Sequence, residues 1–263
     1  MASSNMLLVW DFDWSLINEN TDTFVVQQLD PSGDVWRRGK QMMQQGVGWT
    51  ELMDWALGEL RYDRPALDAA LSAIPITDGA RRAVQAACAA GAEQRILSDA
   101  NSHYIATVLA AHGHADAFTR IETNPAEFAD GRLRVRPHQP DGAPHGSALC
   151  PPNLCKGTVL DRWIAELQPA RVIYVGDGSG DYCPATRLRP GDVLLARRAP
   201  HDGLLKKCRA NPAAVRAEVV EWDDADGGAS LLAGIERALS AAVPEGVAAL
   251  SAAVPDGVAA SVG

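Results

Sequence analysis

The sequence contains no apolar run near the roughly 18 residues that a membrane-crossing helix needs, so nothing in it reads as a membrane span. Positive charge is also in short supply. Its 24 Lys and Arg against 33 Asp and Glu give a formal charge of −9, which argues against a broad nucleic-acid or anionic-membrane surface while leaving room for a small basic pocket. The 5 cysteines are odd in number, and a chain of 263 residues can bury a core without disulfide staples. Reduced thiols in a cytoplasmic compartment are the simpler expectation. The opening MASSNMLLVWDFD lacks a basic leader followed by an apolar stretch and cleavage site, so no secretory signal is read. What is present, 47% hydrophobic and 22% charged residues, is the composition of a globular protein.

Short apolar runs alternate with helical segments. MLLVW (6–10), QRILS (94–98), RVIYV (171–175), DVLLARR (192–198) and AEVVEW (217–222) read as strands. Between them, residues 79–91, 102–113 and 157–167 read as helices. This alternation predicts an α/β fold, a Rossmann-like doubly wound parallel sheet. Residues 16–78 break the pattern. TDTFVVQQL, VWRRGKQMMQQ, WTELMDWALGEL and RPALDAALSAI are helical pieces, predicting a helical cap inserted at 17–78 between two parts of the core, 1–16 and 79–232. Within it, Trp49, Leu52, Met53, Leu57 and Leu60 recur near a helical period and are expected to form the cap's core. Thr50 is a candidate N-cap, and Pro65 suits a first helical turn. Residues 118–150 are less regular, with turn signals at ADG and PDGAPHG and a short hairpin expected between them. The end, 233–263, reads as a helix and a low-complexity tail carrying the near repeat SAAVPEGVAAL/SAAVPDGVAAS.

The chemistry-bearing residues stand at the ends of the expected strands. Asp11 and Asp13 follow the first, Ser98 and Asp99 the second, and GDGSGD, with Asp177 and Asp181, the third. Lys156 opens a helix. In an open α/β sheet such ends converge on one crevice. Carboxylates gathered there repel unless a cation joins them, and Mg2+, a hard ion that shares oxygen ligands with a substrate phosphate, suits the set. Asp11 can attack phosphorus as a nucleophile. Asp13, in the loop beyond the strand, can protonate the leaving oxygen and then take a proton from water. Ser98 can donate to a phosphoryl oxygen, and Lys156 can neutralise charge on the nucleophile and the transferring group. Asp177 is the expected direct metal ligand; Asp181 can ligate, bridge through water or fix Lys156. Each motif alone has an ordinary structural explanation. Their order and context together point to phosphoryl transfer.

Through DFDWS, the Ser98 turn, Lys156 and GDGSGD, the chain resembles the haloacid-dehalogenase-like superfamily. LSDANSHYI (97–105), CPPNLCKG (150–157) and GDGSGDYCP (176–184) are similar to the phosphoethanolamine/phosphocholine phosphatase family, which includes plant enzymes described as acting on thiamine monophosphate, pyridoxal phosphate or pyrophosphate. The resemblance implies Mg2+ held by Asp11, the Asp13 carbonyl and Asp177, with Asp181 as an optional further ligand, Asp11 as nucleophile, Asp13 as acid/base, and Ser98 and Lys156 on the phosphate. It also implies that Asp22 and Asp99 face a cationic head group, although Asp22 could instead cap a cap helix. The expected partner is a small phosphorylated metabolite, with no nucleic acid and no membrane. Trp14 and Tyr104 could stack on a quaternary ammonium, but core or loop packing is the simpler expectation.

The family pattern is not followed everywhere. Ser147 stands where family members carry another cysteine, and Gly180 where they carry Asn. Cys150, Cys155 and Cys183 lie near active-site motifs, but the Cys150–Cys155 spacing is poor for structural zinc, so plain buried thiols are expected. A dehalogenase has little use for Asp13, because a halide leaves unprotonated. An inactive binding domain of the same fold is the alternative from another class.

Overall fold

The computed structural model describes residues 5–139, 145–150 and 153–242. The repeated tail expected at 240–261 lies almost wholly outside the described residues. The first strand, β1 (Met6–Trp10), is buried along its whole length. It pairs in parallel with β2 (Glu93–Asn101) on one side and β6 (Arg171–Gly176) on the other. With β3 (Arg120–Asn124), β7 (Val193–Arg197) and β8 (Glu218–Trp222) they form a parallel six-stranded sheet of order β3-β2-β1-β6-β7-β8. Strand order reverses between β1 and β6, the position at which an open α/β sheet forms its crevice.

Alternation along β1 divides its side chains between the two faces. Leu7 and Val9 join Leu97, Val172, Tyr174 and Leu194 beneath α7 (Lys156–Leu167) and α9 (Gly203–Ala210). Leu8 and Trp10 join Ile96, Ile173, Val175 and Leu195 in the core shared with α5 (Asp78–Ala89), α6 (Ser102–Ala111) and α10 (Ala229–Ser240). Both faces are therefore apolar, as a parallel sheet covered by helices requires. Each such Leu or Val contributes about 1.5–3 kcal/mol by burial. Trp10 is fully buried, and its indole N–H is satisfied by the Gln94 side chain at 3.1 Å. Helix α10 straddles the boundary expected at residue 232 and packs on α5 and β8.

Between β1 and α5 stand four helices, α1 (Thr21–Leu29), α2 (Asp34–Gln44), α3 (Trp49–Glu59) and α4 (Arg64–Ser72). Pro65 occupies the first turn of α4 behind the Asp63 cap. Thr50, however, does not cap α3: Gly48 does, and the Thr50 hydroxyl accepts from the Asn153 amide at 3.1 Å. Residues 118–139 hold more structure than expected. Here β3 is the edge strand, and β4 (Ala126–Ala129) and β5 (Arg132–Val135) form a hairpin that turns on the ADG signal rather than starting after it. Asp130 and Gly131, with φ of 53° and 77°, supply the left-handed turn.

That hairpin is locked onto α3. Asp54 accepts from the Val135 N–H at 2.9 Å and from Arg132 at 3.0 Å, and the Tyr62 hydroxyl accepts from the Leu133 N–H at 2.9 Å. The inserted helices are thus tied to a segment following β3 as well as to their own ends. A short α8 (Tyr182–Ala185) completes the core. Among the described residues, no helix is long and apolar enough to cross a membrane.

Candidate active site

The carboxyl ends of β1, β2 and β6 open into one cavity of ≈ 250 Å³ lined by Asp11, Asp13, Asp22, Ser98, Asp99, Lys156, Asp177 and Asp181. Each residue expected to carry catalysis, metal binding or substrate contact therefore reaches the same space. Asp11 directly follows β1, its N–H bonded to the Val175 carbonyl at 2.9 Å, so the sheet fixes its position. Its Oδ1 accepts from the Phe12 N–H at 2.7 Å and meets Lys156 Nζ at 2.8 Å. Lys156 is the first residue of α7, and Nζ also reaches Asp181 Oδ1 at 2.9 Å.

Asp181 is held from several sides. The Tyr174 hydroxyl donates to Oδ1 at 2.8 Å, while the N–H groups of Asp177 and Gly178 donate to Oδ2 at 3.2 and 3.1 Å. A Cβ at Gly176 would fall 2.7 Å from the Asp181 Cγ, so this turn requires glycine there. Of the three roles open to Asp181, fixing Lys156 is the one its contacts match. Ser15 donates to Asp177 Oδ1 at 3.5 Å, leaving that carboxylate less constrained. Ser98 is 1% exposed and its hydroxyl accepts from the Ala100 N–H at 3.2 Å. It does not end its strand, because β2 continues through an irregularity between Leu97 and Asn101.

The cavity is strongly acidic. Burial pushes the Asp11 carboxyl well up, with Asp181 repulsion adding to it against the pull of Lys156. Burial and Asp181 raise Asp177 to about 7. Lys156 is also pushed well up: burial alone would lower it, but Asp11, Asp181 and Asp99 surround the ammonium. Burial raises Asp99, partly countered by Lys156. Among the described residues, Lys156 is the single cationic side chain lining a cavity with six aspartates. Oxygens of Asp11, Asp177 and Asp181 lie within 4.8 Å of one another. Hard oxygen donors with uncompensated negative charge at that spacing fit a divalent cation such as Mg2+.

On the opposite side, Asp13 accepts from the Thr21 N–H and the Asn20 amide, each at 3.1 Å. Burial, then repulsion from Asp22, raises its carboxyl to about 8. A carboxyl that keeps its proton near neutrality can act as an acid. Asn20 itself caps α1 through the Thr23 N–H. Asp22 is therefore not the cap. Its Oδ2 accepts from the Trp49 indole at 2.7 Å, and burial raises it to about 6 despite that bond.

Trp49 overturns the expectation of cap core. It is 38% exposed and lines the cavity, whereas Leu52, Met53 and Leu57 from the same pattern are buried. Asn20 and Trp49 carry no site role in the sequence reading, and Ser15 closes DFDWS without one; their roles arise from where α1 and α3 begin and from the loop after β1.

The other expectations separate in the same way. Tyr104 is buried at 2% and is packing, not lining. Trp14 lines the cavity but stacks on His201, with ring centroids 3.7 Å apart, and adopts a left-handed φ of 55°. Its carbonyl accepts from Arg197, which also bonds Asn18 at 2.7 Å, and these contacts hold the unusual backbone. At Gly180 an added Cβ would stand 3.6 Å from an Asp99 carboxylate oxygen, an ordinary contact, so nothing in the packing demands glycine there.

A family model described as Putative Phosphatase matches residues 6–235. A thiamine phosphate phosphatase-like protein of Arabidopsis thaliana is 34% identical, covering 85% of this chain and 92% of that protein. Inorganic pyrophosphatase 2 of the same plant is 35% identical, over 85% and 81%. The human phosphoethanolamine/phosphocholine phosphatase is 34% identical, over 85% and 86%. In structure, a HAD family hydrolase from Salmonella enterica superposes with a TM-score of 0.58 at 16% identity, covering 82% of this chain and 67% of that one. That likeness concerns the fold.

Proposed function

The chain belongs to the putative phosphatase family and is a phosphatase of haloacid-dehalogenase-like fold, and from that premise we propose that it hydrolyses a small phosphomonoester with a cationic head, phosphoethanolamine or phosphocholine. The observation that carries this reading is the charge of the cavity. Once Asp11, Asp177 and Asp181 are engaged with Lys156 and a metal, Asp22 and Asp99 still face the space where the rest of the substrate must sit. An ammonium head relieves that repulsion. A second phosphoryl group, as in pyrophosphate, adds to it. Identity cannot choose the head group, since relatives with different printed substrates are 34% and 35% identical.

In the proposed reaction, Asp11 attacks phosphorus and the bond from phosphorus to the ester oxygen breaks. Among the described residues, the Phe12 N–H and Lys156 both contact the Asp11 carboxylate at Oδ1, which leaves Oδ2 as the attacking atom. Asp13 gives its proton to the departing alkoxide. It then takes a proton from water, whose oxygen attacks the phosphorus of phospho-Asp11, releasing phosphate and restoring Asp11. Lys156 and Ser98 receive the phosphoryl oxygens. The Asp11 carboxylate, the Asp13 main-chain carbonyl and Asp177 would hold Mg2+, with Asp181 setting Lys156 behind them; bound Mg2+ supplies charge neutralisation on the phosphoryl group. Helices α1–α4 serve as the cap that excludes water and presents Asp22.

The test is one panel of kcat/KM values, with Mg2+, on phosphoethanolamine, phosphocholine, thiamine monophosphate, pyridoxal phosphate and pyrophosphate. The amino-alcohol phosphates should lead the panel, and Asp11→Asn should reduce release of phosphate to background. A lead for pyrophosphate or pyridoxal phosphate sinks the head-group assignment. Undiminished turnover in Asp11→Asn sinks the nucleophile.

A further inference from the structure

Three cysteines that the reaction does not use meet beside the active site. Cys155 caps the helix that Lys156 opens, Cys183 follows Asp181 by two residues, and Cys150 precedes both. Cys155 and Cys183 are buried, and Cys150 is half-buried. Their Sγ atoms all lie within 4.8 Å of one another, with Cys150–Cys155 at 3.5 Å and Cys155–Cys183 at 3.9 Å. We propose that Cys150, Cys155 and Cys183 bind one thiophilic divalent cation, Zn2+, with the Ser147 hydroxyl in the fourth position.

The distances carry the assignment. A tetrahedral ion with Zn–S bonds of about 2.3 Å places its sulfurs ~3.8 Å apart, and a Zn–O bond near 2.1 Å places oxygen ~3.6 Å from each sulfur. Here the Ser147 Oγ stands 3.7 Å from Cys150 Sγ and 3.6 Å from Cys183 Sγ. A hydroxyl so nearly equidistant from two sulfurs marks a shared centre. A Cys150–Cys155 disulfide would use two of the thiols and leave that convergence of Ser147 and Cys183 without a purpose.

The surroundings are shaped to the same point. Thr158 donates to Cys155 Sγ at 3.2 Å, the kind of outer contact that orients a ligand. At Gly157 an added Cβ would fall 2.5 Å from Cys183 Sγ, so the first turn of α7 is kept bare for the sulfur's approach. Binding converts three thiols to thiolates and releases their protons to solvent. The ion would then cross-link the start of α7 to the start of α8, directly after the turn that carries Asp181. Lys156 of the first and Asp181 beside the second pair across 2.9 Å. The site is structural and distinct from the carboxylate cluster, which offers oxygen alone.

The full chain, refolded or expressed with Zn2+ and freed of excess metal, should retain about one zinc per molecule by elemental analysis. Co2+ in its place should show a thiolate-to-cobalt charge-transfer band. Cys183→Ser should weaken retention by about tenfold or more. Ser147→Cys, which adds a fourth thiolate, should tighten it and strengthen the band, and this gain cannot come from misfolding. Asp177→Asn should keep both zinc and band. Recovery of Cys150 and Cys155 as a disulfide, or a folded protein without zinc whose thiols all react freely, overturns the proposal. So does loss of the ion in Asp177→Asn, or no gain in Ser147→Cys.

Discussion

On the core side of the cavity, Asp181 accepts from Lys156, Tyr174 and two backbone amides; across from it, among the described residues, Asp22 accepts from Trp49 alone. The difference follows from the scaffold. Asp11 and Asp177 sit just beyond the ends of buried parallel strands and Ser98 within the irregular last part of a third, where each neighbouring strand constrains the next. Asp22 and Trp49 begin two helices of the insertion and meet across a helix–helix junction. Chemistry needs positions held to fractions of an ångström, so it belongs on the sheet. Recognition tolerates, and closure requires, the looser junction.

The largest effect should come from breaking the tight side. Lys156→Met leaves Asp11 and Asp181 buried without their shared cation. Removing one partner of a buried ion pair costs about 3–5 kcal/mol, so the variant should unfold at markedly lower denaturant than the parent in Mg2+-free buffer and lose most of its turnover. Asp22→Ala, by contrast, removes a carboxylate that repels its neighbours, and should change stability by under about 1 kcal/mol. Denaturant unfolding of the two variants side by side checks the contrast; equal losses would mean that the two sides are not built differently after all.

Asp13 lies between them, and its variant should show leaving-group dependence. Asp13→Asn should reduce kcat/KM by about 10²–10⁴-fold on an alkyl phosphate, whose alkoxide needs the proton. The loss should be much smaller on p-nitrophenyl phosphate, whose leaving group departs as a stable anion. A uniform loss on both would assign Asp13 to positioning rather than proton transfer.

This contrast also explains what the sequence could disclose. D-x-D after an apolar strand, a helix-opening Lys and GDGxxD are local patterns, and strand ends in a parallel sheet converge by topology, so Asp11, Asp13, Ser98, Lys156 and Asp177 could be brought together without coordinates. Trp49 could not. Its place in an apolar helical period assigns it to a core, and only the entry of α3 at Gly48 turns its ring toward Asp22. The hairpin expected after ADG is instead centred on it, at 126–135, because the charged strands AEFA and RLRV read as loop until Asp54 is seen to receive Arg132 and the Val135 N–H, and Tyr62 the Leu133 N–H. Cys183 lies 28 residues beyond Cys155, outside any ligand spacing that a motif could show.

On the loose side the expected effects are in recognition. Asp22→Ala should raise KM for phosphoethanolamine severalfold and leave KM for a neutral alkyl phosphate nearly unchanged; parallel changes would remove Asp22 from the head-group site. The pH dependence has a definite sign. With its carboxyl raised to about 6, Asp22 is charged above that pH and neutral below it. The ratio of kcat/KM for phosphoethanolamine over the neutral ester should therefore fall as pH drops through about 6. The ratio is the useful quantity because the substrates' phosphate groups also titrate near pH 6, and kcat/KM reports the free enzyme.

Trp49→Phe should give the smallest change and the sharpest. The indole N–H lowers the Asp22 pKa, opposing burial and Asp99. Phenylalanine keeps a ring at the cavity wall but donates nothing, so Asp22 should hold its proton to higher pH. The break in the substrate ratio should move up from about 6, with little change in the ratio well above it. Stability should hardly respond, since Trp49 is 38% exposed and outside the cap core. A shift of the break downward, or its persistence in Trp49→Phe combined with Asp22→Ala, would show that another group sets it. An unmoved break would mean that the 2.7 Å bond between indole and carboxylate does not persist in the working enzyme, and the cap side of the pocket would then be looser still than its single contact implies.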